Sequence, residues 1–148
     1  MVLSVRPSKG FTLIEMMISI LLIMVSMLAL LTVMVYATTT SLDNEYRDTG
    51  TRMLNQTSEA LLALSFSDPL VSAGSYTRVS GNTAQDKAGI PDTNQTVRNA
   101  NRTYSILWTV TPTPSPDTNQ ITITVQYANK ENQSLQNSLG IYKRRPKT

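Results

Sequence analysis

The segment Lys9-Gly10-Phe11-Thr12-Leu13-Ile14-Glu15 carries the clearest chemical signal in the chain. Its carboxylate, Glu15, opens a stretch with no other charge from Met16 to Tyr36. At the centre of a membrane helix an acidic residue costs about 2.5–3.5 kcal/mol on insertion scales, and less near a helix end. Glu15 at that place therefore asks for a partner, and a cation is the partner that low dielectric rewards most.

Few other residues offer chemistry. The 148-residue chain has no histidine and no cysteine, which excludes imidazole acid–base work, thiol nucleophiles, disulfide staples and Cys/His zinc sites. It shows no P-loop and no dinucleotide-binding glycine pattern, and nothing supplies a base to its serines. Asp86 and Asp92 lie in a loop and read as solvated charges. The expectation is a protein that is not an enzyme and takes no metal and no cofactor.

The net charge of +3 comes from 13 basic and 10 acidic residues, and Arg6 and Lys9 account for most of the excess. That is no case for a polyanion partner. Arg78, Arg98, Arg102 and the tail Tyr142–Thr148 form a candidate basic patch, but acids at Asp86, Asp92 and Asp117 interrupt it, so nucleic acid is not an expected partner.

The elements that position Glu15 follow from apolar patterning. Residues 16–36 form a helix of roughly 31 Å at about 1.5 Å per residue, enough to cross a bilayer core of about 30 Å. The run exceeds a secretory signal core, and no small-x-small cleavage site closes it. Arg6 and Lys9 place the N-terminal side in the cytoplasm by the positive-inside tendency. No glycine or proline occurs between Phe11 and Thr49. Beyond the apolar run, Leu42, Tyr46, Met53, Leu54, Thr57, Leu61 and Leu64 make one helical stripe. Asp43 with Arg47, and Asp48 with Arg52, are four-apart charge pairs on another face. The helix is expected from about Thr12 to Leu64, with Pro69 shortly after its end. The Ala37–Ser41 run and Gly50 mark a candidate bend, or a stretch that melts, against a helix that simply continues.

Lys9-Gly10-Phe11 through Glu15, followed by about twenty apolar residues, resembles the class III leader of type IV prepilins and the related pseudopilins. The resemblance covers roughly residues 6–40. It implies cleavage between Gly10 and Phe11 by a membrane-embedded prepilin peptidase, N-methylation of Phe11, and pairing of Glu15 with the N-terminal amine of a neighbouring subunit. Arg6 and Lys9 become the leader charges. The implied partners are the prepilin peptidase/N-methyltransferase, the inner membrane, assembly-platform proteins, and other pilins or pseudopilins in a filament. The implied location is a single-pass inner-membrane protein with a cytoplasmic N-terminus, later part of a pilus or periplasmic filament. A minor pilin of the PilV type fits best, because the head lacks the C-terminal disulfide loop that many major pilins carry. A type II secretion pseudopilin is the alternative, and a DNA-binding competence pilin or an adhesin stands further off.

The resulting fold class is α+β and pilin-like, a long N-terminal helix packed on a small antiparallel sheet. The expected parts are a leader (1–10), a transmembrane or filament-core half-helix (11–36), an amphipathic half-helix (37–66) and a β-sheet head (67–148). In the head, Tyr104, Ile106, Trp108 and Val110 alternate with polar partners, as do Ile121, Ile123, Val125 and Tyr127. Residues 112–117 join these strands as a hairpin loop. A third strand is expected near 137–143 and a short one at 76–79. Residues 80–100 show no apolar period and read as a long loop, either a contact surface or disordered.

Overall fold

In a computed structural model, residues 10–129 and 132–146 are described. The chain divides into two compact units between Thr40 and Ser41. Helix α1 runs from Leu13 to Ala63 and contributes to both.

In the first unit α1 is apolar and uncovered. It is long and apolar enough to cross a membrane, with a mean hydropathy of 2.8 in its apolar window. Its few hydroxyls turn back onto their own helix: Ser19 Oγ donates to the Glu15 carbonyl at 2.7 Å, Ser26 Oγ to Leu22 at 2.7 Å and Thr32 Oγ1 to Leu28 at 3.0 Å. Such bonds satisfy side chains that lipid cannot. Thr38, Thr39 and Thr40 do the same to Met34 and Tyr36, and residues 37–41 are helical throughout.

In the second unit the remainder of α1 packs on a sheet. Tyr46, Met53, Leu54, Thr57 and Leu61 are buried, and Leu42 and Leu64 are partly so, as the stripe predicts. The charge pairs fare differently. Neither Asp43–Arg47 nor Asp48–Arg52 closes among the described residues; the ion pairs formed are Arg78–Asp86, Arg98–Glu45 and Arg145–Asp117. An exposed four-apart pair gains only about 0.3–0.5 kcal/mol, too little to hold two long side chains against solvent. Helix α1 stops at Ala63, and Pro69 opens a short 3-10 turn, Pro69–Val71, capped by Asp68.

The strands are β1 (Gly74–Thr77), β2 (Asn94–Val97), β3 (Ala100–Pro112), β4 (Thr118–Ala128) and β5 (Ser134–Arg144). All pairings are antiparallel. β3, β4 and β5 form a meander, and β1 and β2 both pair with β3, along different parts of its length. Register places Tyr104 opposite Tyr127, Ile106 opposite Val125, Trp108 opposite Ile123 and Val110 opposite Ile121. All eight are buried on one face. Leu139 and Ile141 extend that face onto β5, opposite Ile123 and Ile121. The Trp108 ring stacks on Tyr76 at 5.5 Å, and its Nε1 donates to the Leu70 carbonyl at 2.9 Å.

Residues 80–100 are not one long loop. They contain a short helix, α2 (Thr83–Lys87), and strand β2. Asn82 caps α2 by accepting from Ala84 N, and the β2–β3 hairpin turns through Arg98 and Asn99, both at positive φ. The element that anchors this region is polar. Buried Arg78 donates to Pro91 O at 3.1 Å, Val79 O at 2.6 Å and Gln85 Oε1 at 3.2 Å, and it pairs with Asp86. Buried Gln85 also accepts from Val79 N and donates to Thr77 O. A segment folded around such a cluster has no hydrophobic period to display.

Candidate functional site: the start of the long helix

Thr12 and Glu15 close on each other around the first turn of α1. The Glu15 Oε2 accepts from the Thr12 backbone N–H at 2.8 Å and from the Thr12 hydroxyl at 2.8 Å. In return, Thr12 Oγ1 accepts from Glu15 N at 3.3 Å. This is a capping box, in which a Thr and a Glu three residues on satisfy amides that the helix start leaves open. A carboxylate in the first turn is also stabilised by the helix dipole.

Gly10 and Phe11 precede the helix and are exposed. A β-carbon built at Gly10 meets nothing within 4 Å. The packing of this chain therefore gives no reason for glycine there. Gly10, Phe11 and Glu15 thus lie together at one helix start, joined by Thr12. Arg6 and Lys9, expected as leader charges, and the tail residues Lys147 and Thr148 lie outside the described residues.

Among its described residues the head holds no counterpart to this site. Three arginines of the candidate basic patch are separately engaged. Arg78 is buried in its polar cluster, Arg98 Nε lies 2.5 Å from Glu45 with its Nη2 donating to Ser41, and Arg102 lies over the Tyr46 ring at 4.9 Å. Paired and stacked guanidiniums of this kind do not present a common phosphate-binding face. Asp86 is not a merely solvated charge either, since it pairs with Arg78. Asp92 accepts from Thr93 N at 2.7 Å, and that bond, with a second from Ser80, holds its carboxyl below the ordinary value. No cluster of metal-binding side chains occurs among the described residues.

Lys143 is a residue that sequence reasoning missed. In the sequence it belongs to a basic tail, but it is buried, and its Nζ donates to the carbonyls of Leu61 at 2.8 Å, Leu62 at 2.7 Å and Leu64 at 2.6 Å. It supplies the cation and the donors that the C-terminal turn of α1 lacks. Burial pushes its pKa down. Thr12 left a readable signal, the Thr-x-x-Glu spacing of a capping box.

With this geometry in view, comparison with known proteins gives one finding. Residues 5–31 match the family model described as the prokaryotic N-terminal methylation motif. The match supports a type IV pilin-like class III leader at the N-terminus, and with it a structural subunit of pilin or pseudopilin type. The α+β architecture agrees with a pilin fold. No curated relative and no solved structure matches the chain.

Proposed function

We propose that the chain is a minor pilin, a structural subunit of a type IV pilus. On this reading prepilin peptidase cuts between Gly10 and Phe11, Phe11 is N-methylated, and Glu15 pairs with the N-terminal amine of a neighbouring subunit. Residues 1–10 are the leader, 11–36 the membrane and filament-core half of the helix, 37–66 its amphipathic half, and 67–148 the head. The observation that carries the reading is the coincidence of the methylation motif with a helix start at which Glu15 heads an uncovered apolar surface. Phe11 and the large apolar residues from Leu13 to Tyr36 are exposed in the isolated chain. A surface of that size requires lipid before assembly and sister helices after it.

Gly10 supports the same reading, because an open backbone with no packing role of its own suits a protease. The absence of cysteine favours a minor over a major subunit. On this reading the head lies outside the cytoplasm once the subunit leaves the bilayer, in a pilus or, for a type II secretion pseudopilin, in a periplasmic filament. The test is Glu15→Ala. It is expected to mature normally and to be missing from filaments sheared from intact cells that recover the wild-type chain. Wild-type incorporation of the variant contradicts the pairing role. A mature wild-type chain that shearing never releases points to the pseudopilin.

A further inference from the structure

The sheet of the head has one long open edge, strand β5. Its register with β4 runs unbroken from Ser134 to Arg144. Just beyond the two ends, Asn129 N donates to Gln133 O at 3.0 Å and Arg145 N to Asp117 O at 2.8 Å. An antiparallel ladder alternates bonded and unbonded pairs, so the odd-numbered residues of β5 turn their main-chain groups to β4. Gln136, Ser138, Gly140 and Tyr142 turn theirs outward, and no described residue outside the ladder bonds to them. Natural sheets blunt such an edge with charge, proline, a bulge or a short strand. From Ser134 to Tyr142 there is neither charge nor proline. The opposite edge is protected by comparison. Its strands β1 and β2 have four residues each, and the Thr77 carbonyl accepts from Gln85 Nε2 at 3.0 Å.

Beside the C-terminal end of β5 lies an open groove of about 720 Å³, lined by Leu62, Leu64, Phe66, Tyr142 and Arg145 among others. None of its lining residues belongs to β4, so it opens on the free side of β5. Its rim is cationic. Arg145 lies over the Phe66 ring at 4.9 Å and 4.0 Å from Asp117, while Arg144 is exposed and forms no ion pair among the described residues.

We propose that β5 is the docking edge for an extended segment of a different protein chain. The segment adds a strand beside β5, sets an apolar side chain in the groove and brings a carboxylate to Arg144. Main-chain bonds along an edge supply affinity, and a pocket beside it supplies specificity. Charge separates this occupant from a second copy. Strands β1, β2 and β5 contain no aspartate or glutamate, so no edge strand of a copy carries an anion to Arg144. Nothing in this depends on the leader or on Glu15.

The experiment uses the full-length chain in its own intact cells, with a photo-cross-linking residue placed in turn at Gln136, Ser138 and Tyr142. The joined peptides are then mapped by mass spectrometry. The three positions are expected to reach one segment of one other chain, at sites that shift in register as the probe moves along β5. Ser138→Pro removes an outward N–H and no ladder bond, and is expected to cut the adduct formed from Tyr142 to a tenth or less. Ser138→Ala keeps that N–H and should leave the adduct at the wild-type level. Arg144→Glu should also reduce it tenfold, with Arg144→Lys near wild type. A thermal midpoint of Ser138→Pro close to the wild type shows that its head is folded; if that variant unfolds, the register of the mapped sites and the Arg144 pair decide. Adducts to β5 of a second copy, sites scattered without register, or no adduct at all would overturn the proposal. So would a folded Ser138→Pro chain that cross-links as well as Ser138→Ala, or an Arg144→Glu chain that cross-links as well as Arg144→Lys.

Discussion

Gly50 lies so close to the ring of Tyr127 that a β-carbon on it would fall 3.0 Å from Cε1 and 3.3 Å from Cδ1. The candidate bend residue of the sequence instead lies within the helix, where it lets α1 come close to β4. Two effects oppose each other on substitution by alanine. Helix propensity favours alanine by about 1 kcal/mol, and overpacking a filled interface costs about 1–3 kcal/mol. The Tyr127 ring also packs against Tyr104, 5.5 Å away, which limits its retreat. Gly50→Ala is therefore expected to lower stability, read as a lower thermal midpoint of the full chain in mild detergent. A raised midpoint would show that the ring yields freely.

Lys143→Met keeps the length of the side chain and removes its ammonium. Three carbonyls at the end of α1 lose their donor, while one desolvated charge is relieved. Orphaned buried acceptors cost about 1–3 kcal/mol each, more than that relief returns. The expected outcome is a loss of about 2 kcal/mol or more in denaturant unfolding. An unchanged midpoint would mean that water replaces the ammonium.

Arg78→Lys retains the charge and loses the guanidinium fork. The bonds to Pro91, Val79 and Gln85 cannot all be remade by one ammonium. Loosening is expected first at residues 79–93, seen as faster proteolytic cutting there while the helix–sheet core stays protected. Cutting at the wild-type rate would contradict the anchoring role.

Burial raises the pKa of the Tyr104 and Tyr127 phenols above their ordinary value of 10.0. Between that value and the higher folded value, the unfolded chain has released protons that the folded chain still holds. Their contribution to stability is thus complete below about pH 10 and is lost as the pH climbs through the folded-state values. Lys143, with its lowered pKa, acts in the opposite direction. The test compares the wild type with a Tyr104→Phe, Tyr127→Phe double variant, which should lose less stability between pH 9 and 11 (a window of about one unit around the ordinary phenol value). Equal losses would contradict the assignment.

The legible parts of this molecule are those with an apolar period. Alternation from Tyr104 to Val110 and from Ile121 to Tyr127 specified the central strands and which side of each is buried. The stripe from Leu42 to Leu64 specified the packed face of α1. Parts held by polar atoms were not legible. The Arg78–Gln85 cluster that folds residues 78–93 has no pattern in sequence, and a hairpin turning through Arg98-Asn99 lacks the usual Asn-Gly signal. Lys143 is followed in sequence by two exposed basic residues, Arg144 and Arg145, and shares their charge. At the N-terminus, the lone charge and the Lys9–Glu15 motif made Glu15 conspicuous, and its bond to Thr12 left the Thr-x-x-Glu spacing of a capping box.

The most direct measurement is the intact mass and N-terminal sequence of the chain purified from its own membranes or filaments. The account predicts a chain beginning at Phe11, with a methyl group on its amine, and predicts that Gly10→Ala accumulates as the uncut precursor. A native chain that begins at Met1, or one that is cut normally when Gly10 is alanine, would contradict it.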